Sequence, residues 1–181
     1  MGNPSQIAAK VAKAVFDRPL IMNVFRAYVV EAIFDEALSP AWSWCSIDYA
    51  GWDFENAEGV RLEVKQSAAR QSWQSAKPSR ASFDIRARTG RYEGPNWISE
   101  PGRNADIYVF AWHPVSDDTA DHRDPMQWEF FVVPSRGLPD AKSIGLSRLR
   151  TLASPLRFGE LGNSVDNVVI DMKANIDRAA C

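Results

Sequence analysis

Residues 52–67 read WDFENAEGVRLEVKQS, and this stretch decides the fold. Its second half, 61–67, alternates polar and apolar side chains, which is the pattern of a β-strand with one face in the core. Side chains two positions apart share a strand face, so Glu63 and Lys65 point the same way, while the apolar residues beside them point into the core. The sequence therefore sets a carboxylate and an amine side by side on one strand.

Asp53 lies ten residues before Glu63, a spacing that suits a β-hairpin. A turn through residues 58–59 would return the chain beside itself and set the two carboxylates next to each other. Two other acidic residues, Asp48 and Glu55, lie close enough in the sequence to replace Asp53 as the partner. The pattern predicts half of a divalent-cation site and leaves that partner open among the three.

Two neighbouring carboxylates and a lysine suit the hydrolysis of a phosphodiester. That reaction needs a hydroxide at neutral pH and neutralisation of charge on the phosphate, and Mg²⁺ supplies much of both. Mg²⁺ prefers oxygen ligands and keeps several waters, so two carboxylates and the backbone carbonyl of Val64 would suffice, with Mn²⁺ as a substitute. Lys65 would position or deprotonate the attacking water and offset phosphate charge.

Other metal and nucleophile chemistries have little support in the sequence. The only histidines, His113 and His122, lie in segments that predict turn or surface positions. The two cysteines, Cys45 and Cys181, are far apart and form no CxxC pair. Neither a structural zinc site nor a histidine- or thiol-centred mechanism is expected.

A chain of 181 residues with 45% hydrophobic content can bury one core, so a single domain over 1–181 is expected. The core would lie at about 20–135, with a helical C-terminal part over 140–181. No run of about 18 apolar residues occurs, and residues 1–20 carry scattered charges without an apolar centre. These features predict a cytoplasmic protein that does not bind membranes.

Hydrophobic periodicity predicts helices towards both ends of the chain and strands between them. Apolar residues at three- and four-residue spacing indicate an amphipathic helix over about 19–38, preceded by a shorter one over 7–16. The run IYVFAW within 105–112 is typical of a central strand that is buried on both faces. The predicted strands are 43–50, 52–55, 60–66, 82–88, 105–112 and 128–133, followed by helices at 145–153 and 164–178. This order predicts an α/β or α+β domain around a mixed sheet.

Four residues follow an order that resembles the PD-(D/E)XK nuclease superfamily: Glu31 on the long helix, Asp53 on the first hairpin strand, and Glu63 and Lys65 on the second. The resemblance covers roughly residues 20–113, and Gln66 resembles a polar residue often found after the lysine. One departure is that Trp52, and not a proline, precedes the aspartate. The resemblance implies the restriction-endonuclease-like fold, an α/β architecture with a mixed central sheet flanked by helices.

The resemblance also implies roles for these residues. The expected metal ligands are Glu31, Asp53, Glu63 and the Val64 carbonyl, and the expected catalytic residues are Asp53, Glu63, Lys65 and Gln66. Glu31 has an equally ordinary alternative, because acidic side chains are common on the polar face of a helix. Glu63 and Lys65 could likewise be an ordinary pair of neighbouring charges on a half-exposed strand.

The charge of the chain is segregated along the sequence. The net charge is −2, but residues 61–103 hold nine basic and four acidic residues. A basic segment beside an acidic metal site is what a phosphate-backbone substrate needs, although a solvated charged face has the same composition. Arg70, Lys77 and Arg80 are the predicted nucleic-acid contacts, and Trp73 and Trp97 are the best placed aromatic ones.

The sequence thus predicts a Mg²⁺-dependent DNA endonuclease of the restriction, repair or mobile-element type. Cutting both strands of a duplex with one site per chain would favour a homodimer. Two alternatives stay open at this point. The first is a catalytically inactive module of the same fold that binds nucleic acid or protein, and the second is an unrelated α/β enzyme in which the ExK motif is accidental.

Overall fold

The structure is a computed structural model that describes residues 2–45 and 50–180. Within these residues, four α-helices and nine strands follow one another. They are α1 (Pro4–Phe16), α2 (Asn23–Leu38), β1 (Trp42–Trp44), β2 (Phe54–Asn56), β3 (Arg61–Ala68), β4 (Ser82–Asp84), β5 (Arg91–Glu93), β6 (Asn96–Ile98), β7 (Ile107–His113), β8 (Glu129–Pro134), β9 (Ser143–Gly145), α3 (Leu146–Leu149) and α4 (Leu161–Ala180).

A five-stranded mixed sheet in the order β1-β2-β3-β7-β8 forms the centre of the molecule. Strands β1, β2 and β3 are antiparallel neighbours, β3 and β7 are parallel, and β7 and β8 are antiparallel. All seven residues of β7 are buried, which confirms the central strand that the apolar run predicts. The mixed α/β architecture with helices against a central sheet is therefore confirmed.

The two faces of the sheet are covered differently. One face packs against α2 and α4, through residues that include Phe34, Leu161 and Val165. The other packs against the small β4–β9 sheet, the short helix α3 and the loops around them, with Phe83 and Phe110 at its centre. The helices thus bury most of one face, and short strands bury much of the other.

The connection from β3 to β7 is unusual for a parallel pair. Parallel neighbours need a long crossover, and that crossover is usually a helix. Here residues 69–106 carry β4 and the β5–β6 hairpin, and they contain no helix. This hairpin is absent from the elements predicted from the sequence, although Gly94–Pro95 lies as a turn signal between two short runs that contain aromatic residues.

Several predicted boundaries are wrong. The strand predicted over 82–88 ends at Asp84, and the helix predicted over 145–153 is only the four residues of α3. The strand predicted over 43–50 is β1 in its first part, and residues 46–49 lie outside the described residues. Short elements have too few residues to show a period, so tertiary packing sets their ends. No helix in 2–45 or 50–180 is long and apolar enough to cross a membrane.

The prediction that both histidines are turn or surface residues is wrong for His113, which ends strand β7, and holds for His122 only in that this residue lies in a turn. His113 and His122 are fully buried, with ring centroids 5.0 Å apart, and both rings pack against Trp128. The His122 backbone N–H donates to the Pro19 carbonyl, and its Nδ1 accepts from the Ile21 N–H at 3.0 Å. These bonds hold 19–21 outside the helix, so α2 begins at Asn23 and not at Pro19.

Burial of His122 makes the fold sensitive to acid. Burial lowers its pKa from 6.5 to about 4, so the unfolded chain takes up a proton before the native one does. The stability advantage of the wild type over His122→Gln is therefore expected to shrink by about 2 kcal/mol as the pH falls from 6.5 to 4. Urea unfolding of both proteins across this range measures the difference. An advantage that does not change with pH would contradict a neutral buried imidazole.

Candidate active site

The hairpin between β2 and β3 sets Asp53 against the ExK strand. Its turn is closed at Asn56, whose side-chain oxygen accepts from the Val60 N–H at 2.9 Å, and Gly59 takes the positive φ of 77° that the turn requires. The Asp53 N–H then donates to the Leu62 carbonyl at 3.0 Å. The hairpin predicted from the spacing is present, and its turn contains the predicted residues 58–59.

The carboxylate of Asp53 lies on the backbone of β3 itself. Its Oδ2 accepts from the Val64 N–H at 2.7 Å, which sets the carboxylate between the positions of Glu63 and Lys65. Of the two alternatives to Asp53, Glu55 lies further along β2 opposite Arg61, and Asp48 lies outside the described residues. Asp53 is the carboxylate that the structure brings against the motif.

Glu63 and Lys65 share one face of β3 and form an ion pair, as their spacing predicts. Both side chains are mostly shielded, with exposed fractions of 18% and 21%. Leu62 belongs to the core on the α2 side, and Val64 packs against that core. The strand alternation predicted from the sequence is therefore confirmed, and the ion pair faces away from the helices.

Helix α2 brings a third carboxylate to the hairpin. Glu31 is only 6% exposed, and its Oε2 accepts from the indole Nε1 of Trp44 at 2.9 Å. The Trp44 ring stacks on Phe54, the residue after Asp53, with an interplanar angle of 16°. A carboxylate this deeply buried is not an ordinary residue on the polar face of a helix, and its charge acts on Asp53.

These surroundings change the proton affinity of Asp53. Burial is the largest cause, and the negative charges of Glu63 and Glu31 add to it, which together raise the pKa of Asp53 to about 8. The Val64 N–H and Lys65 oppose the rise without cancelling it. Near neutral pH and without a cation, this carboxyl group holds a proton. A carboxyl group whose pKa is raised by burial and by neighbouring carboxylates is typical of functional sites.

The donor chemistry of the group fits a hard divalent cation. Three carboxylates, those of Glu31, Asp53 and Glu63, provide the oxygen ligands that Mg²⁺ and Mn²⁺ prefer. Their present contacts are with other groups, so across 2–45 and 50–180 no set of three His, Cys, Asp or Glu side chains is arranged around a common point. A cation would have to displace a proton from Asp53 and separate Glu63 from Lys65.

Gln66 lies on the opposite face of β3 from Lys65, against helix α2. Its side-chain oxygen accepts from Arg26 Nε at 2.6 Å, and its amide donates to Asn23 Oδ1 at 3.0 Å. The catalytic role predicted for Gln66 stays a prediction, and in this arrangement its side chain holds α2 against the strand that carries the ExK motif.

Arg26 is a residue that the sequence analysis missed. Its side chain is 1% exposed, and its guanidinium donates to neutral oxygens of Gln66, Gln71 and Asn23. Burial lowers its pKa to about 10, so it stays charged at neutral pH. An arginine on a helix predicts an exposed side chain, and only the long-range contacts show otherwise.

The three predicted nucleic-acid contacts lie beyond the end of β3. Arg70 forms an ion pair with Asp118 at 2.6 Å, so part of its charge is neutralised within the chain. Lys77 and Arg80 are exposed, and no ion pair among the described residues involves either. Arg70 and Lys77 line a groove of about 750 Å³ together with Trp73.

A second, smaller cleft reaches two of the three carboxylates. Its volume is about 400 Å³, and Asp53 and Glu63 lie in its wall. The opposite wall comes from the β5–β6 hairpin, through Tyr92 and Trp97. Their rings meet edge to face with centroids 5.1 Å apart. The hairpin that the sequence analysis missed therefore sets two aromatic rings beside the carboxylates.

Gly90 fixes the position of this hairpin. A Cβ at Gly90 would collide with the Ile98 carbonyl oxygen and would lie 2.8 Å from the nearest carbon of the Trp97 ring. Gly90→Ala is expected to cost about 2 kcal/mol of stability, because both strands must move. The matched control is Gly159→Ala, where nothing lies within 4 Å and the cost should stay within about 0.5 kcal/mol. Thermal or urea unfolding of the two variants checks the difference, and equal stabilities would contradict the close packing.

Comparison with other proteins adds no assignment. No model of a known protein family matches the chain, and a search of curated proteins finds no match. Support for a function therefore comes from the geometry of this chain, above all from the acidic residues gathered around β3.

Proposed function

We propose that this protein is a Mg²⁺-dependent DNA endonuclease with the restriction-endonuclease-like fold. The observation that carries the proposal is the position of the Asp53 carboxylate, bonded to the Val64 N–H at 2.7 Å between Glu63 and Lys65. Asp53, next to one hairpin strand, thus lies beside Glu63 and Lys65 on the other. An accidental ExK motif on a surface strand would not require a buried aspartate at that point.

Each residue has a definite task in the proposed reaction. Glu31, Asp53, Glu63 and the Val64 carbonyl hold the cation, and Lys65 holds the attacking water and offers positive charge to the phosphate. When bound, Mg²⁺ lowers the pKa of water and neutralises charge on the phosphodiester. Lys65 can release Glu63 and turn to the substrate, because an ammonium group on a four-carbon stem is mobile.

The sheet supports the finer fold assignment. In the restriction-endonuclease-like fold, a hairpin carries the aspartate and the ExK motif within a mixed sheet, and β2, β3 and the parallel strand β7 have this arrangement. The crossover without a helix is the main departure. DNA would reach the site past the groove that Arg70 and Lys77 line, and a homodimer would supply a second site for the second strand.

A metal titration coupled to a cleavage assay tests the proposal. Isothermal calorimetry with Mn²⁺ should show binding by the wild type and at least about tenfold weaker binding by Glu63→Gln, because the variant replaces an anionic ligand with a neutral amide. Glu36→Gln, an exposed glutamate on the same helix as Glu31, should bind like the wild type. Plasmid cleavage should require Mg²⁺ or Mn²⁺ and fail in Glu63→Gln. Cation binding that is equal in all three proteins would refute the site.

One observation favours the second candidate, a nucleic-acid-binding module without catalysis. The carboxylate of Glu63 pairs with Lys65, that of Glu31 accepts from Trp44, and that of Asp53 accepts from the Val64 N–H. In the described part of the chain, no three such side chains are arranged around a common point. A module of this kind should show no cation uptake that depends on Glu63, yet it should retain binding to DNA. The same titration therefore separates the two candidates.

A further inference from the structure

The cleft that contains Asp53 and Glu63 has an aromatic wall, which the proposed metal chemistry does not use. Trp97 is 50% exposed although its ring packs against Tyr92 and over Gly90. Burying a large aromatic ring contributes to stability, so a half-exposed indole in the wall of a cleft is suited to binding. Base stacking on such a ring is worth about 1–3 kcal/mol per base and tolerates any sequence.

We propose that this cleft takes one unpaired nucleotide of single-stranded DNA, with its base stacked on the indole of Trp97 and its phosphate next to Asp53 and Glu63. This inference rests on the proposed nuclease function and goes beyond it, because it names the form of the substrate. Duplex DNA would then be a substrate only where it is unpaired, at a flap, a bubble or a frayed end.

The size of the cleft supports one nucleotide. Its volume of about 400 Å³ lies near the lower end of the range for small-molecule pockets, which is about 300–1,000 Å³. A base inside a duplex is stacked between its neighbours and cannot reach a side chain in such a cleft unless it leaves the stack. Trp97 and the carboxylates line the same cleft, so a base and its own phosphate can be held together.

The charges around the hairpin support a nucleotide and not an uncharged ligand. Arg88 lines the cleft with about half of its side chain exposed, and its partner Asp84, 3.3 Å away, is shared with Arg86. Two guanidinium groups on one carboxylate leave a local positive charge at Arg88, whereas the charge of Arg91 is neutralised by Glu93 and Glu100. A phosphate is the complement of that charge.

Arg91 keeps the aromatic wall in place. Its side chain is only 11% exposed and forms ion pairs with Glu93 and Glu100. Its aliphatic part lies against Gly51, and its guanidinium lies 5.9 Å from the centre of the Trp52 ring. The hairpin is thus fixed to the segment that leads into Asp53, which sets Trp97 at a constant position relative to the carboxylates.

The test is a binding assay in EDTA, where hydrolysis cannot occur, with a fluorescent single-stranded oligonucleotide and the blunt duplex of the same length. The wild type should bind the single strand at least about tenfold more tightly. Trp97→Ala should weaken that binding about 10- to 100-fold, and Trp97→Phe, which keeps a stacking ring, should restore most of it. Tyr28→Ala is the control, because Tyr28 is an aromatic residue that is 44% exposed and lines neither this cleft nor the groove of Arg70 and Lys77.

Each outcome separates this inference from the nuclease itself. Equal or tighter binding of the duplex, wild-type binding by Trp97→Ala, or a Phe variant as weak as the Ala variant would each overturn stacking of an unpaired base. Mg²⁺-dependent cleavage of blunt duplex that does not change in Trp97→Ala would overturn it as well and leave the nuclease standing. Single-strand binding that depends on Trp97, without cleavage of any DNA, would support the stacking and overturn the nuclease.

Discussion

Replacing Lys65 with alanine is expected to reduce Mg²⁺-dependent DNA cleavage about 10³-fold. Its ammonium group pairs with Glu63 and lies near Asp53. In the proposed site it must both hold the attacking water and offset the charge of the phosphate. Rates of supercoiled plasmid nicking and of oligonucleotide cleavage, measured with saturating Mg²⁺, give the size of the loss. Lys65→Arg should recover little, because a guanidinium is planar and cannot act as a base at neutral pH.

The loss must be separated from a loss of structure. Lys65 is mostly shielded and pairs with Glu63, so Lys65→Ala also leaves that carboxylate without its partner. Circular dichroism and thermal unfolding should show a folded protein. Lys10→Ala, an exposed lysine on α1, should cleave at the wild-type rate. A folded Lys65→Ala protein with full activity would exclude this site as the source of the cleavage.

Periodicity along β3 was enough to predict the centre of the site. Side chains on a strand alternate between two faces, so the shared face of Glu63 and Lys65 follows from two-residue spacing alone. The position of Asp53 needed one further step, a hairpin whose turn contains Gly59, and the structure contains that hairpin. Local rules therefore predicted the residues that one turn connects.

Contacts between distant segments could not be predicted from the same rules. Arg26 and Gln66 are 40 residues apart and meet because α2 packs on β3, while His122 meets Ile21 across 101 residues. The side chains of Arg26, Gln66 and His122 are polar, and composition alone predicts a polar residue at the surface. Burial of a polar group depends on partners that only the assembled fold provides.

The β5–β6 hairpin, which lines the cleft, could not be predicted from the sequence either. Its strands have three residues each, too few for a period, and sequence analysis identified Trp97 without a partner or a position. The structure brings this residue into the cleft with Asp53 because Arg91 and Gly90 fix the hairpin there. For this reason, a preference for single-stranded over duplex DNA could not be predicted from the sequence.

Replacing Asp53 with asparagine is expected to stabilise the metal-free protein by about 3–5 kcal/mol at pH 9. The pKa of Asp53 is raised from 3.8 to about 8, so the native state keeps a proton that the unfolded chain has lost. The wild type therefore loses stability as the pH rises from about 4 to 8, and the loss is complete above 8. Asparagine carries no charge and can still accept from the Val64 N–H, so the variant avoids the loss.

Urea unfolding of both proteins in EDTA between pH 5 and pH 9 measures this difference. The stability advantage of Asp53→Asn over the wild type should grow as the pH rises. It should disappear as the pH falls towards 4. Asp166→Asn, an exposed aspartate on α4, is the matched control and should stay within about 0.5 kcal/mol of the wild type throughout. If Asp53→Asn were the less stable protein at pH 9, the carboxylate would not lie among like charges in a buried position.

The same substitution should abolish Mg²⁺-dependent cleavage, and this pairing makes it the sharpest test of the site. Replacing a residue that serves only the fold lowers stability. Replacing a residue that the fold holds in an energetically unfavourable position for the sake of catalysis raises stability and removes activity. Mg²⁺ should reverse the order of stability of the two proteins. A cation that binds the native carboxylates stabilises the wild type, and it finds one ligand fewer in Asp53→Asn. A stabilised, inactive Asp53→Asn protein that gains less from Mg²⁺ than the wild type is the expected result, since Asp53 is destabilising only while no cation neutralises its charge.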